Sequence, residues 1–128
     1  MRLLLDTCAG LWLFNDQPEL SDAARAAVAD PENELIIHQV TLWEMTLKHS
    51  LGKLPLLAPP GEVLAEGMAR YGIGYATLAD EDIAVMGNLP FHHRDPFDRL
   101  LIAHAKRRGL TLVSPDAAWS AYGVPVLW

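Results

Sequence analysis

Short apolar runs alternate with longer amphipathic stretches along most of the chain. Arg2-Leu-Leu-Leu5 and Glu34-Leu-Ile-Ile-His38 have the length of strands, and Tyr75-Ala-Thr-Leu78, Leu110-Thr-Leu-Val113 and Pro125-Val-Leu-Trp128 fit three more. Their flanks carry helical spacing. Leu20 to Ala29 is Ala-rich, and Leu42 to Leu51 stops at Gly52, a residue suited to the turn that ends a helix. Val63 to Tyr71 and Glu81 to Leu89 are weaker stretches of the same kind. Pro96 to Arg108 is the strongest: Asp95 caps it, Pro96 takes the first helical position and Gly109 follows its end. Phe97, Leu100, Leu101 and Ala105 give that helix one apolar face. Apolar strands alternating with helices predict an α/β fold, a parallel sheet of about five strands sandwiched between helices.

Ligands of such sheets collect beyond the carboxyl ends of the strands. Several acids of this sequence fall there. Asp6 follows the first strand, Glu44 lies in the first turn of the helix after the second, and Asp116 follows the fourth. Asp95 and Asp98 open the long helix and join the others if it starts at that edge. Carboxylates gathered without matching basic residues repel one another unless a cation sits among them. Oxygen-only ligation completed by water suits Mg²⁺ or Mn²⁺. Each acid also has a plainer role. Thr41-x-x-Glu44 reads as a capping box, Asp95 as an N-cap, Asp98 as a complement to the helix dipole and Asp116 as a turn or cap residue. Asp6 is hardest to dismiss, because a carboxylate directly after an apolar strand is expected to be partly buried and to need a partner.

Composition narrows the choice further. A chain of 128 residues, 51% hydrophobic, has the size and core of one domain spanning residues 1–128. Its 16 acidic and 10 basic residues give a net charge of -6, which excludes a broad basic surface for nucleic acid. Set the five acids above aside and the remainder is nearly neutral, so a bound dication would turn an acidic hole into a phosphate-attracting one. Cys8 is the only cysteine, which excludes an intrachain disulfide and an all-cysteine zinc site. The longest run without charge, Ala117 to Trp128, is too short to span a bilayer, and Asp6 interrupts any leader-like opening. A cytoplasmic protein with no membrane association is the expectation.

Four blocks in order carry a family resemblance. They are Leu3-Leu-Leu-Asp-Thr-Cys-Ala-Gly-Leu-Trp12, Leu42-Trp-Glu-Met45 with Lys48-His-Ser-Leu-Gly-Lys-Leu54, His92-His-Arg-Asp-Pro-Phe-Asp-Arg-Leu-Leu-Ile-Ala103, and Val113-Ser-Pro-Asp116 with Tyr122-Gly-Val-Pro-Val-Leu-Trp128. Across nearly the whole chain this resembles a PIN-domain ribonuclease, and within that family the VapC-type toxins of type II toxin–antitoxin pairs. The resemblance implies a PIN-like fold and a Mg²⁺- or Mn²⁺-dependent endoribonuclease that arrests growth when released from its antitoxin. It implies a homodimer as well. By the same likeness Asp6 and Asp98 bind the metal, with Glu44, Asp116 and Asp95 reaching it directly or through water. Thr7 and Ser114 would orient the carboxylates. Arg94, Arg99, Lys48 and Lys53 flank the acids and are candidates for RNA phosphates.

Two positions depart from the family pattern. Many relatives have histidine where Cys8 stands, and the fourth block is usually Thr-Arg-Asp or Thr-Arg-Asn. Here it reads Ser114-Pro115-Asp116, which keeps a hydroxyl and loses a basic residue. That change is the one support for the alternative, a catalytically inactive PIN-like protein acting as a binding partner. The remaining residues speak for structure more than chemistry. His38, His49 and His104 lie on separate elements, His92 and His93 point in different directions, and His104 sits on the apolar face of the long helix. Lys106-Arg-Arg108 complements the end of that helix, and the four tryptophans are expected mainly in packing. A phosphotransfer receiver would need a lysine after Arg108, a haloacid-dehalogenase-type phosphatase an Asp at position 8, and a dinucleotide fold a glycine-rich turn. None is present.

Overall fold

A computed structural model describes residues Met1–Trp128. The elements run β1 (Arg2–Leu5), α1 (Thr7–Phe14), α2 (Asp22–Ala29), β2 (Glu34–His38), α3 (Gln39–Ser50), α4 (Pro60–Tyr71), β3 (Gly74–Ala76), α5 (Asp80–Gly87), α6 (Pro96–Arg108), β4 (Thr111–Val113), a 3-10 helix (Ala117–Tyr122) and β5 (Val126–Leu127). All four strand pairings are parallel, and the order across the sheet is β3-β2-β1-β4-β5. This is the predicted α/β architecture. The chain winds outward in both directions from β1, so the crevice between the ends of β1 and β4 is the switch point where such sheets bind ligands.

Alternation along the strands divides the core. Leu3 and Leu5 of β1, with Leu35 and Ile37 of β2, pack on Leu13, Phe14, Ala24, Met45 and Leu64. Leu4 and Ile36 point the other way, onto Leu100, Leu101, Ala105, Trp119 and Tyr122. Helices therefore cover both faces, and β1, paired on each side, is buried from Leu3 to Leu5.

The differences from the predicted elements have local causes. Helix α1 has no amphipathic contrast, because Cys8-Ala-Gly-Leu-Trp-Leu-Phe14 is apolar throughout, and its spacing gave no helical signal. It forms because Asp6 caps it, the carboxylate accepting the Ala9 amide at 2.7 Å. Helix α3 begins at Gln39, three residues before the expected start, since the His38 ring accepts the Val40 amide at 2.9 Å. Thr41 is thus inside the helix, the predicted capping box with Glu44 does not form, and Glu44 lies in the second turn. The last strand shrinks to Val126–Leu127, and the segment before it winds into the 3-10 helix capped by Asp116. Helix α6 has its predicted bounds, with Gly109 beyond it at φ 65°.

Candidate active site

The carboxyl edge of the sheet gathers the acids. Asp6 leaves the end of β1, Asp116 follows β4, Glu44 comes from α3 and Asp98 from the first turn of α6. Asp6 and Glu44 are 6% and 5% exposed, whereas Asp98 and Asp116 are half-buried. Two carboxylates of the site are thus buried and two half-buried. Asp95 sits at the rim as the cap of α6, one oxygen accepting the amides of Phe97 at 2.9 Å and Asp98 at 3.3 Å.

Burial and mutual repulsion mark the electrostatics of this crevice. Burial pushes the Asp98 carboxyl up to about 7, and the charges of Asp95, Glu44, Asp6 and Asp116 add to the rise. Burial likewise pushes Asp6 up to about 6, against the Ala9 amide and the Ser114 hydroxyl, which favour its ionised form, while Glu44 and Asp116 raise it further. Cys8 lines the same ground and its thiol is pushed up to about 11, first by burial and then by Asp6 and Glu44. A thiol held so high is protonated at neutral pH and is not a nucleophile there.

Neighbouring side chains fix two of the carboxylates. Thr7 donates to Glu44 Oε1 at 2.7 Å, and Lys48 binds Oε2 of the same carboxylate, one helical turn away. The Lys48 ammonium is raised above its ordinary value mainly by that bond. Lys48 is engaged by Glu44 and does not stand free for RNA. Ser114 is fully buried and accepts the Asp116 amide at 3.1 Å, so its hydroxyl ties the ends of β1 and β4 together.

Of the basic residues expected to meet phosphates, Arg94 and Lys53 are exposed. Arg99 is not. It is 5% exposed, and its guanidinium donates to the carbonyls of Pro90, His93, Met86 and Leu89 at 2.8–3.3 Å. The helical register of α6 puts it on the inner side, one residue past Asp98. Its expected contact with RNA gives way to a structural role inside the protein.

His93 is a member of the site that reasoning from the sequence set aside. Its Nε2 lies 3.2 Å from Asp116 Oδ2, and the ligating atoms of His93, Asp98 and Asp116 fall within 4.8 Å of one another. The only signal in the sequence was its place five residues before Asp98, with no periodicity to say which way it points.

A second polar cluster lies beneath α5 and α6. His38 and His104, expected apart, meet at the buried Asp82 with their rings 4.5 Å apart. His104 is the satisfied core histidine its position predicted, Nδ1 standing 3.0 Å from the carboxylate. Arg107 Nε donates to the same carboxylate at 2.8 Å, and the Ala79 amide donates to it at 3.1 Å. His38 Nδ1 accepts the Val40 amide, so its Nε2 carries the proton and faces Asp82. No lone pair of His38 is left for a metal, and Arg107 already supplies the cation. Burial would raise Asp82, but the bonds from Arg107, Ala79 and His104 overcome it and bring the carboxyl down to about 2. A cavity of about 390 Å³ opens beside Arg2, Glu34, Arg107 and Arg108, away from the acidic site. Its arginines are partly spent: Arg2 pairs with Glu34 at 3.2 Å and Arg107 with Asp82.

Comparison with known families bears on the fold. The PIN domain model matches residues 3–125, nearly the entire chain. The protein belongs to the PIN-domain family. Solved structures similar to this PIN domain include VapBC2 from Rickettsia felis bound to a DNA fragment from their promoter, with a TM-score of 0.71 at 15% identity over 98% of this chain and 97% of that one. VapBC-1 from nontypeable Haemophilus influenzae superposes with a TM-score of 0.64 at 14% identity, covering 98% and 96%. FitAcB from Neisseria gonorrhoeae gives 0.61 at 20% identity, covering 97% and 95%. At these identities the likeness is one of fold. No curated protein sequence gives a significant match to this PIN domain. None of its helices is long and apolar enough to cross a membrane.

Proposed function

We propose that this PIN domain is a Mg²⁺- or Mn²⁺-dependent endoribonuclease, the toxin component of a type II toxin–antitoxin pair that cleaves RNA and arrests growth. One observation carries the reading. Asp6 and Asp98 are pushed up to about 6 and about 7 in a crevice shared with Glu44 and Asp116, so the carboxylates cannot all ionise comfortably without a cation. The donors fit a hard dication, since four carboxylate side chains offer oxygen and leave room for water. Asp6 and Asp98 would hold it directly, and Glu44 and Asp116 directly or through water, with Asp95 reaching it at most through water. A dication bound there lowers the pKa of a water and stabilises charge on the leaving oxygen of a phosphodiester.

The chain's own residues do the rest. Thr7 and Lys48 hold Glu44 in one orientation, and Ser114 braces Asp6 and Asp116. Arg94 and Lys53 are exposed and remain our candidates for RNA phosphates. The change to Ser114-Pro115-Asp116 retains the hydroxyl that performs the bracing, which argues against loss of catalysis. Similar folds occur in VapBC and FitAB assemblies, which supports an antitoxin as partner, and we expect the cytoplasm as the place of action. We expect a homodimer in solution.

The purified protein should cleave RNA to 5′-phosphate ends in Mg²⁺ or Mn²⁺, stop in EDTA and resume when metal is returned. Conditional expression beside an Asp6→Asn variant, followed by sequencing of RNA ends, should give new ends with the wild type alone. Undiminished cleavage in EDTA would overturn the metal requirement. Binding of an antitoxin without any cleavage would establish the inactive alternative.

A further inference from the structure

We infer that His93 is a nitrogen ligand of the metal site, so that the centre is mixed carboxylate and imidazole and favours Mn²⁺ over Mg²⁺. The inference rests on the metal-binding part of the function proposed above, not on cleavage. His93 Nε2 is buried and has no hydrogen-bond partner. It nevertheless lies 3.2 Å from Asp116 Oδ2, without the alignment of a hydrogen bond. A buried imidazole nitrogen left unpaired beside a carboxylate is costly, and a shared cation is the partner that would satisfy both. Ligand atoms on adjacent corners of an octahedron with bonds near 2.1 Å are about 3 Å apart, the spacing of this pair. Asp98 completes a set of three with ligating atoms inside 4.8 Å.

The ring is also held in place before any ion arrives. It stacks on Tyr122 with an interplanar angle of 4° and meets the edge of Trp119 at 6.1 Å. Its backbone amide donates to the Tyr122 hydroxyl at 2.6 Å, and its carbonyl accepts from Arg99 at 3.3 Å. Backbone and ring are therefore both held by neighbours, as a ligand must be if it is not to lose binding energy to reorganisation. The adjacent His92 is exposed and meets Tyr122 edge-on, so it is the natural control. Oxygen donors alone suit Mg²⁺, whereas imidazole shifts a site toward transition metals.

The test is pulsed EPR on the purified full chain loaded with Mn²⁺ below one equivalent. Wild type and His92→Gln should both show electron spin-echo modulation from a directly bound ¹⁴N, and His93→Gln should lose it. Calorimetric titration should show His93→Gln weakening Mn²⁺ by about tenfold or more and Mg²⁺ by much less. If His93→Gln does not fold, ¹⁵N-histidine labelling of the His92→Gln protein gives the same answer from the changed modulation frequency. Bound Mn²⁺ with no nitrogen modulation in the wild type overturns the inference while leaving the nuclease proposal intact. Nitrogen modulation in a protein that cleaves no RNA would sustain the inference and remove the enzyme.

Discussion

Asp95 and Asp98 are three residues apart on the same helix and have separate tasks. Asp95 spends one oxygen on the amides of Phe97 and Asp98, which is the work of an N-cap. Asp98 makes no such bond, and burial with the surrounding acids pushes it up to about 7. Asparagine caps nearly as well as aspartate but brings no charge to a cation. Asp95→Asn should therefore keep its thermal midpoint and a substantial part of its cleavage rate. It should also let Asp98 ionise at lower pH, because the Asp95 charge is the largest of those raising it. Asp98→Asn should fold as well yet cleave RNA about a hundredfold or more slowly, the scale of removing a principal electrostatic contributor. Melting curves beside single-turnover rates decide the matter. A dead Asp95→Asn with an active Asp98→Asn would exchange the two roles.

Between elements, Arg99 does what no single helix could do alone. Its two terminal nitrogens reach Met86 and Leu89 near the end of α5 and Pro90 and His93 in the following segment. Phe91 covers the guanidinium, which lies 4.2 Å from the ring centroid. Lysine offers a point charge in place of a planar fork, so Arg99→Lys leaves buried carbonyls without donors. We expect it to cost about 2–4 kcal/mol in urea denaturation, with the slope unchanged. A midpoint equal to wild type would mean that the carbonyls find water instead. This residue also shows where the sequence was readable. Helix α6 could be bounded because Asp95, Pro96 and Gly109 are local signals, and the acids could be grouped because strand ends in a parallel sheet share one edge. Arg99 was misassigned because charge beside an acidic motif looks the same whether the side chain turns in or out. Helix α1 left no trace for lack of polar contrast, and Gly67 gave no hint of its purpose. A Cβ there would sit 2.5 Å from the Phe14 ring, a contact between helices that are distant in the chain. The meeting of His38, Asp82 and His104 is of the same kind, since nothing local records which helices lie over β2.

Across the whole molecule, carboxyls in two places oppose each other in their response to pH. Asp6 and Asp98 stand at about 6 and about 7 when folded, above the ~4 of an unfolded carboxyl. Between those values the folded chain holds more protons than the unfolded one, so their effect is to weaken the fold as pH rises from about 4 to 7. A dication displaces the same protons, and its affinity rises over the same window. Asp82 behaves the other way. At about 2 when folded it lies below its unfolded value, so its contribution is complete above about pH 4 and is lost as pH falls through 2. His38, lowered from 6.5 first by burial and then by the charge of His104, adds to the loss on the acid side because it must be neutral to fit. Neither of these groups belongs to the metal crevice. Melting curves with and without Mg²⁺ or Mn²⁺ should therefore coincide near pH 5 and separate progressively toward pH 8. At pH 8 without metal, Asp6→Asn should melt above the wild type, because it removes one of the crowded charges, and its response to metal should be reduced. At pH 5 the same substitution should change the metal-free midpoint little, since the wild-type carboxyl is already mostly protonated there. A metal response of equal size at both pH values, or one untouched by Asp6→Asn, would place the bound ion somewhere other than among these acids.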